Sequence, residues 1–519
     1  MVQPIAFTPP LLSSRPMPIV RRRILFYLPG YDPDAKRRYR TLFMRELRRY
    51  TKRFGIAQPR VSRAKLSDDG QVQTWTVKAG DAVKGTETVY EVLLWDDLVQ
   101  QDMARPHLTS ALLNAAALLH VIANGTFFRL YRASWKCGNL ILYPFVMSLL
   151  LPGTVLLLAA LSHGFLSTGF GLPAWFALAL GTAAGIAGLR QIAPRLERAF
   201  LWQLMNDWIF NWQLANGHRP DYWARLEAFT NHAQSRIRGM EADEVMIVGH
   251  STGALPAAEL AARLLTQNGV LGRDGPILSL LTLGSSLPIV AMQPGARLTR
   301  AEIKSLVASE RLIWVDYQAP QDWMNFPGFN PARDLRLRVS DAQVANPVIR
   351  SAEFRNIVEP AIYQKIDLSP FRTHFQFLMS NDFMGVYDIF AMTLGPQCLR
   401  SRVCADDSDV LNFSNVMQGD INEFTHDYIS GWAYHPDDAS LAAELEVSVN
   451  GVPLAKIKAD LFREDLAEDR IGTARYGFLW RFDPPLCADE SHTVIVRRTS
   501  DKFEIDRADL KAVDSMSAD

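Results

Sequence analysis

The stretch Gly249-His250-Ser251-Thr252-Gly253 holds one hydroxyl between two glycines. The apolar run VMIVG leads into it and ALPAAELAARL leads out. These flanks read as a strand and an alanine-rich helix, so Ser251 falls on a strand-to-helix corner. Such a corner lifts a serine Oγ above the sheet edge. Gly249 and Gly253 remove Cβ atoms that would collide with neighbouring backbone. The Thr252 N–H and the partial positive charge of the helix N-terminus then meet the oxygen of a bound carbonyl. The chemistry this serves is attack by Ser251 on an acyl carbon.

A serine hydroxyl is a weak nucleophile without a base. His374 is the only histidine between Ser251 and the β-rich C-terminal part, so it is the candidate base. The orienting acid has two candidates in LIWVDYQAPQDWMNF. Asp322 lies beyond the strand end, where functional groups of parallel sheets gather, and is preferred; Asp316, inside the strand, is the reserve. A second oxyanion donor is expected from YLPGYDPDA. There Gly30 allows close approach and Tyr31 supplies an N–H, with a plain turn as the alternative reading.

Other chemistries lack their patterns. The chain has no HExxH, no G-x-x-x-x-G-K, no G-x-G-x-x-G after a strand and no histidine–cysteine cluster. Neither a metal nor a cofactor is expected. Lys+Arg and Asp+Glu are both 55, and this zero net charge gives no electrostatic case for nucleic acid. Cys137, Cys398, Cys404 and Cys487 form no CxxC pair and read as reduced, packed thiols. The N-terminal stretch has no basic start followed by an apolar run, so no signal peptide is expected. No pattern assigns an oligomeric state.

Between Lys136 and Arg190 there is no Asp, Glu, Lys or Arg. Two apolar runs, 140–161 and 172–189, are near the about 20 residues that cross a bilayer as a helix. SHGFLSTGFG between them reads as a turn. Arg129, Arg132 and Lys136 precede the pair and Arg190, Arg195 and Arg198 follow it, which places both ends on the cytoplasmic side. The expectation is a two-helix anchor in the inner (cytoplasmic) membrane, with both large soluble parts facing the cytoplasm. A buried helix pair in a large core is the competing reading.

The elements around these features follow from periodicity. Strand-like runs fall at 24–28, 60–66, 72–79, 87–97, 243–249, 277–286 and 311–318. Helical patterns fall at 35–54, which is strongly basic, and at 107–135, 252–267 and 300–309. RLERAFLWQLMNDWIFNWQL reads as an aromatic helix. This alternation predicts an α/β fold with a mostly parallel sheet flanked by helices. From 415 to 510 short strands alternate apolar and polar residues, and VNGV marks a hairpin. That part is expected to be a β-sandwich domain. The predicted organisation is an α/β domain in two pieces, 1–136 and 193–412. A helical hairpin at 137–192 separates them, and a sandwich at 415–510 and a disordered tail at 511–519 follow.

FYLPGYDP, VMIVGHSTGAL, LLTLGSSLP, WVDYQAPQD and RTHFQFL resemble the α/β-hydrolase superfamily, its lipase- and esterase-like bacterial members above all. The resemblance covers roughly the first 400 residues. It implies an α/β-hydrolase fold with Ser251 as nucleophile, His374 as base, Asp322 as acid, and Tyr31 and Thr252 as oxyanion donors. The chain departs from the pattern in two ways. The oxyanion loop often begins His-Gly in the superfamily and is Pro29-Gly30 here. The hairpin also interrupts the region where such enzymes vary their lids. SGWAYHPDD, VSVNGVPLAKIKADLFREDL and YGFLWRF resemble an accessory β-sandwich of bacterial glycosyltransferases and related proteins, which implies a fold and no activity of its own.

The expected function is a membrane-anchored serine hydrolase. It would cleave a small-molecule or lipid-like acyl ester or thioester through an acyl-enzyme. The same three residues would serve an acyltransferase, in which an alcohol or amine replaces water. A non-catalytic, membrane-tethered interaction protein is the reading from another class.

Overall fold

The strand β1 (Arg22–Leu28) is buried along all but its first residue, the mark of a strand covered on both faces. Ile24, Phe26 and Leu28 enter one apolar core, while Tyr27 packs on the other face against Tyr39 and Tyr90. The computed structural model describes residues 19–80, 85–198, 200–367, 369–383, 385, 387–404, 418–434, 442–468, 473–499 and 504–512. The N-terminal stretch read for a signal peptide and nearly all of the expected tail lie outside them.

β1 is central in a mostly parallel sheet. On one side it pairs with β5 (Thr86–Leu93), then β4 (Val72–Ala79), then the short β2 (Arg60–Val61) and β3 (Lys65–Leu66). On the other side follow β6 (Glu244–His250), β7 (Ile277–Leu283), β8 (Leu312–Gln318) and β9 (Val348–Ser351). Strands β5 to β9 run parallel to β1, and β4 is antiparallel to β5. The chain builds the β2–β5 wing after β1 and then returns to β6 on β1's other flank. Strand order therefore reverses at β1 and β6, and a crevice opens beyond their C-terminal ends.

Between β5 and β6 the chain is helical. The helix Trp135–Phe170 has 36 residues, about 54 Å at 1.5 Å per residue. Its base belongs to the α/β core, where Cys137 and Ile141 are buried. Its most apolar window has a mean hydropathy of 2.2 and is only 6% buried. Among the described residues it is the one helix long and apolar enough to cross a membrane. Ala174–Arg198 packs along it. A Cβ added at Gly181 would lie 2.6 Å from Ser162 Cβ, and one at Gly185 3.1 Å from Val155 Cα. Small residues thus let the two backbones approach. Leu149, Leu150, Leu156, Leu161 and Phe165 are exposed.

The turn expected at SHGFLSTGFG is not a turn: the helix continues to Phe170. Thr168 Oγ1 donates back to the Gly164 carbonyl, so its hydroxyl is satisfied within the helix. Gly171, at φ 67°, ends the helix, with its N–H bonded to the Leu166 carbonyl.

The C-terminal unit has two four-stranded antiparallel sheets. One holds β10 (Gln418–Phe424), β11 (Tyr428–Tyr434), β15 (Arg475–Arg481) and β14 (Leu461–Phe462). The other holds β13 (Val452–Ala459), β12 (Ala443–Val449), β16 (His492–Arg498) and β17 (Glu504–Leu510). Ile429, Ala433 and Phe478 from the first share a core with Leu445, Val447, Val494 and Val496 from the second. Asn450 at φ 51° and Gly451 at φ 81° form the VNGV turn.

Candidate active site

Four neighbouring strands end at one edge of the sheet, and the loop after each brings one part of the site. Ser251 follows β6 directly, at φ 59°. That left-handed conformation costs a non-glycine residue about 1–3 kcal/mol. The glycines hold the corner closed. A Cβ at Gly249 would lie 2.6 Å from Ala254 Cα, and one at Gly253 2.2 Å from the Leu28 carbonyl oxygen. From the end of β1, Gly30 approaches so closely that a Cβ there would sit 3.1 Å from Ser251 Cβ and 3.6 Å from its Oγ.

Asp322 lies in the loop after β8 and is fully buried. Its Oδ1 accepts the Met324 N–H at 2.9 Å, and its Oδ2 is 2.7 Å from His374 Nδ1. A carboxylate at Nδ1 fixes the proton there and leaves Nε2 as an acceptor. Nε2 is buried and has no hydrogen-bond partner. His374 and Ser251 line one cavity, though no hydrogen bond joins them. Such contacts are often long without substrate and tighten in the complex. Gly284, after β7 at φ 52°, clears space for the acid: a Cβ there would lie 3.2 Å from Asp322 Oδ2 and 2.6 Å from Phe377.

His374 sits within the helix Pro370–Phe375. Pro370 starts that helix, and Thr373 Oγ1 donates to the Ile366 carbonyl at 2.9 Å. His250 lies against it, with ring centroids 4.6 Å apart, and its Nε2 is 3.1 Å from the His374 carbonyl oxygen. Burial pushes the His250 pKa down, so it is the neutral form that donates there. Asp316 does not join this group. Its oxygens accept from Thr282 Oγ1 at 2.6 Å and Gln318 Nε2 at 2.7 Å, and burial pushes its carboxyl up to about 6.

The loop after β1 is clamped from three sides. Trp95 Nε1 donates to the Pro29 carbonyl at 3.0 Å and Gln203 Nε2 to the Tyr31 carbonyl at 2.7 Å. The Tyr31 hydroxyl donates to Asp102, which Arg219 also grips at 2.7 Å. The Tyr31 side chain is thus committed to the core, and its main chain is what it can offer the cavity. Thr252 Oγ1 donates to Asp207 at 3.0 Å.

Asp207 is a site residue that sequence reasoning missed. It also accepts from Asn211 Nδ2 at 2.9 Å, and burial pushes its carboxyl up to about 7. The available signal was its isolation: it is the one acid between Glu197 and Asp221. It lines both cavities that border Ser251. One is polar and includes Gly30, Tyr31, Asp32, Gln203 and His374. The other is apolar and is walled by Cys137, Leu140, Ile141, Trp208, Ile289 and Met324. Three of those residues come from the base of the helix Trp135–Phe170. Among the described residues no group of three or more His, Cys, Asp or Glu is placed to hold a metal ion. No family model, curated protein or solved structure matches the chain.

Proposed function

We propose that this protein is a membrane-anchored serine hydrolase of the α/β-hydrolase type that cleaves an ester or thioester through an acyl-enzyme on Ser251. The observation that carries the reading is the His374 Nδ1 to Asp322 Oδ2 contact of 2.7 Å, with a buried, unpartnered Nε2 in the cavity that Ser251 lines. Ser251 Oγ bonds to the acyl carbon as its proton passes to His374 Nε2. The carbon–oxygen or carbon–sulfur bond then breaks, and the leaving alcohol or thiol takes that proton. Water repeats the sequence and frees the acid. Asp322 stabilises the imidazolium without taking its proton. The main-chain N–H groups of Thr252 and Tyr31 are the donors for the developing oxyanion.

The helix pair is the anchor. Support comes from the long apolar helix, its exposed leucines and the arginines and lysine at both ends of the charge-free stretch. Leu108, Leu112, Leu119 and Phe128 on the preceding helices, and Trp135 at the start of the long helix, are exposed as well and extend the apolar surface. The apolar cavity beside Ser251, about 50 Å³, takes the carbons next to the carbonyl of a lipid-like acyl chain.

Fluorophosphonate labelling of the detergent-solubilised protein tests the enzyme reading. Wild type is expected to label, and Ser251→Ala and His374→Ala to lose the label while remaining folded. A folded wild type that stays unlabelled refutes it. A cysteine placed at Ser167 is expected to react with an impermeant reagent from the periplasmic side only; reaction from the cytoplasm overturns the orientation.

A further inference from the structure

A cleft of about 370 Å³ opens near the site, against about 40 Å³ for the polar cavity beside Ser251. Phe371 and Phe375 line both spaces, and no residue of the cleft lines the apolar cavity. Four arginines wall it: Arg37, Arg38 and Arg45 from the helix Ala35–Phe54, and Arg372 from the helix that carries His374. Arg37 and Arg45, with Thr41 between them, are spaced i, i+4, i+8 and share one helix face. Asp34 is the one acid in the lining. Arg38 pairs with Asp32 at 3.0 Å and Arg45 with Glu46 at 2.7 Å. Arg37 and Arg372 are exposed and have no ion-pair partner among the described residues. A guanidinium presents forked donors that match a phosphate better than a lysine ammonium does.

We propose that this cleft binds the phosphate of the alcohol or thiol half of the substrate. The enzyme then cleaves acyl esters or thioesters of a phosphorylated carrier. This rests on the serine hydrolase reading. The acyl chain takes the apolar cavity, the reacting carbonyl lies at Ser251, and the departing group extends past Phe371 and Phe375 toward the arginines. The cleft's position off the polar cavity assigns the phosphate to the leaving group and not to the acyl chain. The phosphate's source is either a soluble carrier thiol or a lipid headgroup, and the two probe pairs below separate them.

Octanoyl-coenzyme A and octanoyl-N-acetylcysteamine share the acyl chain and the thioester but differ in phosphate. Lysophosphatidic acid and the monoacylglycerol of the same chain do so for esters. At least one pair is expected to favour the phosphorylated member by about tenfold or more in kcat/KM, the scale of one charge-assisted contact. The pair that discriminates names the source. In Arg37→Gln/Arg372→Gln the ratio is expected to fall to near unity, and in Arg37→Lys/Arg372→Lys to recover in part. A wild type without preference, or a preference that survives the glutamine variant, overturns the proposal while Ser251 labelling leaves the hydrolase standing. If Ser251 does not label and no probe turns over, calorimetry on Ser251→Ala decides the cleft separately. Binding of coenzyme A or lysophosphatidic acid that the glutamine pair abolishes supports it, and binding that is absent or unaffected sinks it.

Discussion

Asp316 and Asp322 lie in two adjoining regions, the interior of β8 and the loop beyond its end. Both are buried carboxyls, and both fall in the same short sequence window. Asp316 stands opposite Thr282 in the register of β7 and β8 and bonds to its hydroxyl. A side chain inside a parallel sheet meets whatever its row places beside it. Asp322 has left the sheet, so it meets a helix that arrives 52 residues later. The same carboxyl is a structural brace in one region and a partner for imidazole in the other, and the sheet edge divides them.

The sharpest way to break this contrast is to remove one charge at a time. Asp322→Asn is expected to lower kcat on an acyl p-nitrophenyl ester by roughly 10⁴-fold, because the imidazole loses the partner that fixes its tautomer. Asp316→Asn is expected to stay within about tenfold of wild type, since it touches no reacting group. If the two results exchange places, the division at the sheet edge is wrong. Gly284→Ala sharpens the loop side, for its Cβ would press on Asp322 Oδ2 and Phe377 in a conformation that disfavours side chains. A loss of about 1–3 kcal/mol in unfolding free energy and a clear fall in kcat are expected together.

Smaller effects follow from titration on the strand side. Burial raises the Asp316 carboxyl to about 6, above its value in the unfolded chain. The folded state therefore holds that proton longer. The associated stability is fully present below the unfolded value of about 4 and is lost as pH climbs through about 6. Asp207, raised to about 7, and Glu259, raised to about 8, act with the same sign. The unfolding free energy is expected to be lower at about pH 8 than at about pH 5, and Asp316→Asn to reduce that difference by about 1.4 kcal/mol. An unchanged difference contradicts the assigned burial effect. The smallest change is Ile141→Trp, which fills part of the apolar cavity. It is expected to shift preference toward shorter acyl chains by a few-fold, read from esters of graded length.

How far the sequence alone carries depends on whether a feature is local. The serine corner was legible because strand, glycines and helix follow one another directly, as was the basic helix Ala35–Phe54, whose bounds match its pattern. The preference for Asp322 over Asp316 came from where the strand should end, and β8 does end at Gln318. Features made by distant segments were not legible. Nothing near Asp207 indicates that its helix will lie beside Ser251. Arg372 and Arg37 meet across 335 positions, and only the fold puts them around one cleft. The four-residue strand Val348–Ser351 is too short to show a period. Ser162 to Phe170 looked like a turn by composition, yet the helix runs on until Gly171 ends it in the left-handed region.

The rod from Trp135 to Phe170 has a practical consequence for anyone wishing to work without detergent. Its foot is also masonry of the chamber beside Ser251, through Cys137, Leu140 and Ile141. Trimming the hydrophobic insertion flush with its first apolar residue would knock out that masonry and flood the chamber. A cut placed after Phe145, with a short bridge to Phe200, spares the core contacts of the foot and the Phe200 ring stacked on Phe371, and discards the greasy shaft with the helix that packs along it.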